Sequence, residues 1–555
     1  MKKAFLLFLM CLLVISCKEE KEEVITQEPA VVWEPQDETA ELEEQAKHEN
    51  ERMRFKLINS KFQDKNDLWK SFEKDLATFS EARYQELQPL VLEKSIPQLQ
   101  QEIRDGKLSY TDLTLFYIYR IRKFESDNDL SLNAVIALNS EVVEQARKLD
   151  AANKKAPLHS VYGMPLLLKD NINTNNMPTT AGAFALAENR PSKNAFIVER
   201  LQNRNALILG KVNLSEWAYY FCDGCPLGYS AVGGQTLNPY GRKEFETGGS
   251  SSGSGVAVAA NYAVAAVGTE TAGSILSPAS KNSVVGLKPT VGLLSRTGIV
   301  PISSTLDTPG PMTRTVIDNA ILLAAMTGKD ADDSASVEKQ NNYIKGLQEA
   351  TLEGKRIGVM RSLLQDSLYN AAVENLKAQG AVVVEFEAAD IPLDNFGTLL
   401  DADMKKDLPA YLSTQAGKEV KQRQVQDFVQ FNEEDSIVRA PYGQQLFEGI
   451  VADTTSPEEL EKIAATLQEN GRKFFDVPMQ EHNLDAVLSI NNYHAAYAAV
   501  AKYPALTVPA GFEDSGEPKN VTFIARPFEE AKLLEIGAAF ENNYRQRKAP
   551  TDYNQ

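Results

Sequence analysis

The spacing of apolar residues changes character along the chain. After Met1-Lys2-Lys3, residues 4–15 form an unbroken apolar run. Leu68, Trp69, Phe72, Leu76 and Phe79 then recur three or four apart, which predicts a helical extension over residues 61–94. Ser95 before Ile96-Pro97 marks a capped helix start, Asp105-Gly106 its end, and residues 113–124 predict a further helix. Beyond them the pattern shifts to short apolar runs at 164–168, 206–210, 263–268, 284–288, 356–360, 381–386, 485–490, 505–509 and 521–524, separated by helical stretches. Buried strands alternating with helices predict an α/β fold, a large three-layer α/β/α sandwich. The polar, helical stretch around 399–480 interrupts the strand series and predicts an inserted lobe or lid.

Composition changes the picture mainly at the N-terminus. At 43% hydrophobic and 24% charged residues, the bulk of the 555-residue chain is globular in type. The run at 4–15 is too short to span a bilayer and is followed by the small residue Ser16, as in a secretory signal over residues 1–16. Val14-Ile15-Ser16-Cys17 resembles a bacterial lipobox, which implies lipidation of Cys17; a plainly cleaved signal is the alternative. The expected location is then the bacterial cell envelope, lipid-anchored and periplasmic or surface-facing, with membrane contact through the anchor alone. Formal charge is -18, and residues 18–50 carry twelve acidic side chains against three basic ones. Residues 17–60 therefore read as an acidic, flexible tether, and the acidic balance argues against nucleic acid as a partner.

Cysteines stand at positions 11, 17, 222 and 225. Cys222-Asp223-Gly224-Cys225 has redox-motif spacing, and a disulfide, idle thiols and a functional pair all remain open; a zinc site lacks a second ligand pair. No metal or cofactor is expected.

The densest chemical signal is Gly248-Gly249-Ser250-Ser251-Ser252-Gly253-Ser254-Gly255, followed by a small-residue run and Gly268-Thr269-Glu270-Thr271-Ala272-Gly273-Ser274. A flexible linker does not lead straight into helix and strand patterns, and no Gly-Lys-Ser/Thr follows to make a phosphate loop. Gly249-Ser250-Ser251-Ser252-Gly253 satisfies Gly-x-Ser-x-Gly, but a nucleophile elbow needs a strand before it and a histidine after it. The preceding residues are polar, and only His482 and His494 follow the serines among four histidines. Activation must come from another group, and Lys169 at the end of an apolar run is the candidate. Such a lysine is more often a snorkelling surface residue.

Four segments in order weigh against that bland reading. Residues 166–171 (Leu-Leu-Leu-Lys-Asp-Asn), the 248–255 loop, residues 268–274 and Val285-Gly286-Leu287-Lys288-Pro289-Thr290 resemble the signature segments of the amidase signature family. The finer segments Asn213-Leu214-Ser215-Glu216-Trp217, Gly233-Gly234-Gln235-Thr236 and Asp307-Thr308-Pro309-Gly310-Pro311-Met312 are most similar to bacterial peptide amidases. The resemblance implies the amidase signature fold over residues 95–555, with a mixed, twisted central sheet. It implies hydrolysis of a small-molecule or peptide amide by a Ser-Ser-Lys triad, with Ser274 as nucleophile, Ser250 as relay and Lys169 as base. Ser250 should follow a cis peptide bond with Ser251 supporting it, and the amides of Thr271, Ala272, Gly273 and Ser274 should form the oxyanion hole. Many relatives have glycine at Ala272, which is harmless unless a positive φ is needed. After Ser274 the chain lacks the arginine that many relatives carry, which favours neutral or peptide-like amides.

Overall fold

The computed structural model describes residues 31–339 and 341–554. All nine apolar runs form strands, within a mixed sheet of eleven with helices on both sides. In chain order the strands are β1 (Val135–Leu138), β2 (Pro165–Lys169), β3 (Leu207–Val212), β4 (Tyr229–Ser230), β5 (Gly234–Gln235), β6 (Ala265–Glu270), β7 (Val285–Lys288), β8 (Thr308–Thr313), β9 (Arg356–Met360), β10 (Val382–Phe386), β11 (Ala486–Ile490), β12 (Ala505–Phe512) and β13 (Pro518–Ile524). The large sheet runs β1-β3-β2-β6-β8-β7-β12-β13-β11-β9-β10, and β4-β5 is a separate hairpin. β2 lies parallel to both β3 and β6, while β6 and β8 are antiparallel. β2, β3, β6, β7, β8 and β11 are buried along their whole length, as strands covered on both faces must be.

The hydrophobic pattern misses β8, whose residues Thr-Pro-Gly-Pro-Met-Thr read as a turn. Proline is normally kept out of central strands because it offers no ladder donor. Pro309 and Pro311 sit two apart and so face one edge, and β7 pairs with β8 only at Met312 and Thr313, past both of them. β6 pairs along the opposite edge from Thr308 to Met312.

The expected tether is corrected over its described part. Residues 31–60 lie against the domain, with Trp33, Met53, Phe55 and Ile58 buried in its main core. The Trp33 indole donates to Asn128 Oδ1 at 2.8 Å, and the Ile58 carbonyl accepts from Gln235 N at 2.8 Å. Four sparse apolar anchors in an acidic stretch contribute more burial than a charge count reveals. The signal, Cys17 and residues 18–30 lie outside the described residues. Helix Ile96–Arg104 starts at Ser95, whose backbone N donates to Gln98 Oε1 at 2.9 Å.

From Phe396 to Glu481 the chain forms five helices and no strand. Their apolar faces (Met404, Leu408, Phe428, Phe447, Ile450) close on Trp217, Phe221 and the Cys222–Cys225 disulfide.

Candidate active site

β2 and the loops after it bring the sequence-predicted residues to one place. Lys169 ends β2 with none of its surface exposed, so it is not a snorkelling lysine. Its Nζ lies 2.7 Å from Ser250 Oγ, 2.9 Å from Thr269 Oγ1 and 3.2 Å from the Thr269 carbonyl oxygen. A carbonyl oxygen only accepts, so Nζ donates there; a neutral amine with two N–H bonds and one lone pair can then donate to both Thr269 oxygens and accept from Ser250. Burial lowers the Lys169 pKa to about 7, against the opposing pull of the Asp307 and Glu270 carboxyls.

Ser250 is fully buried and follows a cis Gly249-Ser250 peptide bond. Its carbonyl accepts from Ser215 N at 3.1 Å. Gly248 has φ +64°, and a Cβ there would stand 2.8 Å from Pro278 Cα, so no other residue fits the turn. Ser251 joins three segments: its Oγ donates to the Thr269 carbonyl at 3.0 Å, accepts from Thr269 N at 3.2 Å, and its own N donates to the Ser274 carbonyl at 3.1 Å.

β6 delivers the 271–274 turn. Ala272 is not among the positive-φ residues, whereas Gly273 has φ +99°, so the methyl at 272 meets no backbone strain. The amides of Thr271, Ala272 and Ser274 meet no acceptor among the described residues, and that of Gly273 is drawn to the Glu270 carboxylate. Ser274 is only partly buried, unlike Ser250 and Lys169. Among the described residues no hydrogen bond joins the Ser274 and Ser250 hydroxyls; the side-chain partner of Ser250 Oγ is Lys169 Nζ.

Four neighbours carried no role in the sequence reading although they lie inside its quoted segments. Asn171 Nδ2 donates to Thr269 Oγ1 at 3.0 Å. Glu270 Oε2 accepts from Ile275 N at 2.7 Å and Leu276 N at 3.0 Å, pinning the turn beyond Ser274. Asp307 accepts from Thr271 Oγ1 at 2.6 Å and from Ile302 and Ser303 N, both at 2.9 Å; burial raises its pKa to about 6. With Thr269 they fix the Lys169 surroundings, a role visible only in three dimensions.

A cavity of about 400 Å³ reaches this cluster at Asn171, Thr269 and Thr271 and runs between the 296–309 loop and helix Phe396–Thr414. Arg296 lies in its wall, but the guanidinium is paired with Asp333, with Nε–Oδ2 at 2.9 Å. His494 is engaged elsewhere, 2.6 Å from Ser489 Oγ, and burial lowers its pKa to about 4.

The family profile described as Amidase matches residues 112–430. A probable amidase of Arabidopsis thaliana is 36% identical over 482 residues, covering 83% of this chain and 92% of its own. The crystal structure of an amidase family protein from Bacillus anthracis superposes with a TM-score of 0.85 at 38% identity, over 89% of this chain and 99% of that one. Native peptide amidase from Stenotrophomonas maltophilia gives a TM-score of 0.77 at 38% identity, over 83% and 98% of the two chains. With its mixed sheet, its ordered signature segments and these likenesses, the chain belongs to the amidase signature family of hydrolases.

Proposed function

We propose that the chain hydrolyses neutral, peptide-like carboxylic amides, releasing ammonia from peptide C-terminal amides or similar substrates through Lys169, Ser250 and Ser274. The observation that carries this reading is a lysine amine buried among uncharged partners and hydrogen-bonded to Ser250. With a pKa of about 7, about nine-tenths of it is neutral at pH 8, against under about one hundredth for an ordinary lysine. In the proposed cycle Ser274 Oγ attacks the amide carbonyl carbon as its proton passes to Ser250 and the Ser250 proton passes to Lys169. The amides of Thr271, Ala272 and Ser274, which meet no other acceptor among the described residues, receive the developing oxyanion, while the expected fourth donor, the Gly273 amide, is turned to the Glu270 carboxylate. Collapse breaks the C–N bond, the relay returns a proton to the leaving nitrogen, and water releases the acid from the acyl-enzyme.

The substrate assignment draws on the likeness to a peptide amidase and on the Arg296–Asp333 pair, which leaves the cavity lining, among the described residues, without an unpaired cation for an anionic acyl group. A fluorophosphonate should label the purified protein and leave Ser274→Ala unlabelled. Labelling that persists in Ser274→Ala refutes the nucleophile, and an unlabelled wild type that binds amides without releasing ammonia favours a noncatalytic binding protein. The placement in the envelope rests on the 14–17 segment; radiolabelled palmitate should enter the expressed protein and be lost in Cys17→Ala. Equal incorporation in both refutes the anchor.

A further inference from the structure

The turn after β11 lies directly against the Gly273 backbone. A Cβ built on Gly273 would stand 3.1 Å from Asn492 Nδ2 and 3.5 Å from the Ala495 Cβ. This turn is held on both sides of Asn492. Asn491 N donates to the Asn520 carbonyl at 3.1 Å, Asn491 Oδ1 accepts from Asn520 N at 2.9 Å, and the Asn491 carbonyl accepts from Thr522 Oγ1 at 2.5 Å. On the other side His494 is bonded to Ser489 and stacks on Phe474 with ring centroids 5.5 Å apart. Asn492 alone keeps an open carboxamide: its backbone carbonyl accepts from Ala495 N at 3.0 Å, while its side chain is exposed and makes no hydrogen bond among the described residues. A polar side chain on a rigid turn, unused by the fold and adjoining the residue before Ser274, is preorganised for a ligand.

We propose that Asn492 is a specificity-determining residue whose Nδ2 donates to a carbonyl oxygen of the substrate's acyl portion, the peptide unit next to the scissile amide. The inference rests on the hydrolase reading above and adds where the substrate's peptide character is sensed. Two amides form the discriminating pair: an N-acyl dipeptide amide, which has that inner carbonyl, and a simple aliphatic amide, which does not.

The test measures kcat and KM separately for both amides with the full protein, Asn492→Ala and Asn492→Asp. Asp keeps the shape and loses the donor, so both variants should behave alike. One neutral hydrogen bond predicts a rise of about 3- to 10-fold in KM for the dipeptide amide, with kcat and the simple amide changed less than about twofold. Fluorophosphonate labelling at the wild-type rate confirms that the variants fold around an intact Ser274. Wild-type KM in both variants, or an equal loss on both amides, overturns the assignment of Asn492 while leaving the hydrolase reading standing. A wild type that turns over neither amide overturns both.

Discussion

Two lysines stand almost side by side on β2 and β3, and the sheet treats them in opposite ways. Lys169 pairs in register with Val212, and its neighbour Leu168 pairs with Lys211. Both amines are fully buried, and burial lowers the pKa of each. Lys211 meets the Asp170 carboxylate at 3.2 Å, Thr179 Oγ1 at 2.9 Å, and the carbonyl oxygens of Ile172 at 2.6 Å and Pro178 at 3.2 Å. Lys169 meets a threonine hydroxyl at the same 2.9 Å and one carbonyl, but its remaining partner is Ser250 rather than a carboxylate. A buried cation beside an anion is a structural pair, whereas one among neutral groups can give up its proton. Burial alone does not make a base; the absence of a carboxylate in hydrogen-bond contact does, since Asp307 and Glu270 act on the Lys169 amine only from a distance.

Exchange at the two positions should therefore split activity from stability. Lys169→Met should lower kcat by about 10²- to 10⁴-fold, the range for removing a general base, while raising Tm at neutral pH because a costly buried amine is gone. Lys211→Met leaves Asp170 buried with only its Thr180 bonds and should destabilise the fold by about 3 to 5 kcal/mol, with kcat per folded molecule little changed. Ammonia release and thermal melts on the two variants check this; a Lys169→Met that keeps its rate, or a Lys211→Met that keeps its Tm, breaks the contrast.

The pH dependence should separate them as well. Since the Lys169 pKa is depressed, the base form exists above it, so kcat/KM should be level above about pH 7 and fall about tenfold per unit below. The same depression makes folding weakest where the amine must be protonated: between about 7 and the free-lysine value the unfolded chain binds more protons, so this group's contribution to stability rises with pH. A rate profile that bends near the ordinary lysine value removes the neutral amine.

Little of this contrast is legible in the sequence. Both lysines end or interrupt apolar runs, and the pattern gives Leu166-Leu167-Leu168 its strand without saying whether Lys169 leaves the core or stays in it. The ordered signature segments decided in favour of Lys169, and the same knowledge marked Ser250, Ser251 and the 271–274 turn. Thr269, Glu270 and Asp307 stood inside quoted segments, yet their work is pairwise and long-range: Asp307 reaches Thr271 across 36 positions. Strand β8 was hidden by its two prolines, and residues 31–60 by their charge, because one buried Trp33 outweighs several solvated glutamates in deciding where a segment lies.

The smallest effect offers the sharpest control, because each lysine has one threonine hydroxyl at an equal distance. Thr→Val keeps the volume and removes the hydroxyl's two hydrogen bonds in either place, each worth about 0.5 to 1.5 kcal/mol. At Thr179 the amine still has Asp170 and two carbonyls, so the loss should register only as a Tm lower by a few degrees. At Thr269 the hydroxyl also accepts from Asn171, so its removal frees two donors and loosens the amine that faces Ser250. Thr269→Val should therefore lower kcat/KM by about 3- to 10-fold and displace the bend of its pH profile, while Thr179→Val leaves that bend in place. Equal displacement in both variants would mean that the two amines are electrostatically interchangeable, and the distinction between a structural and a chemical lysine in this sheet would fail.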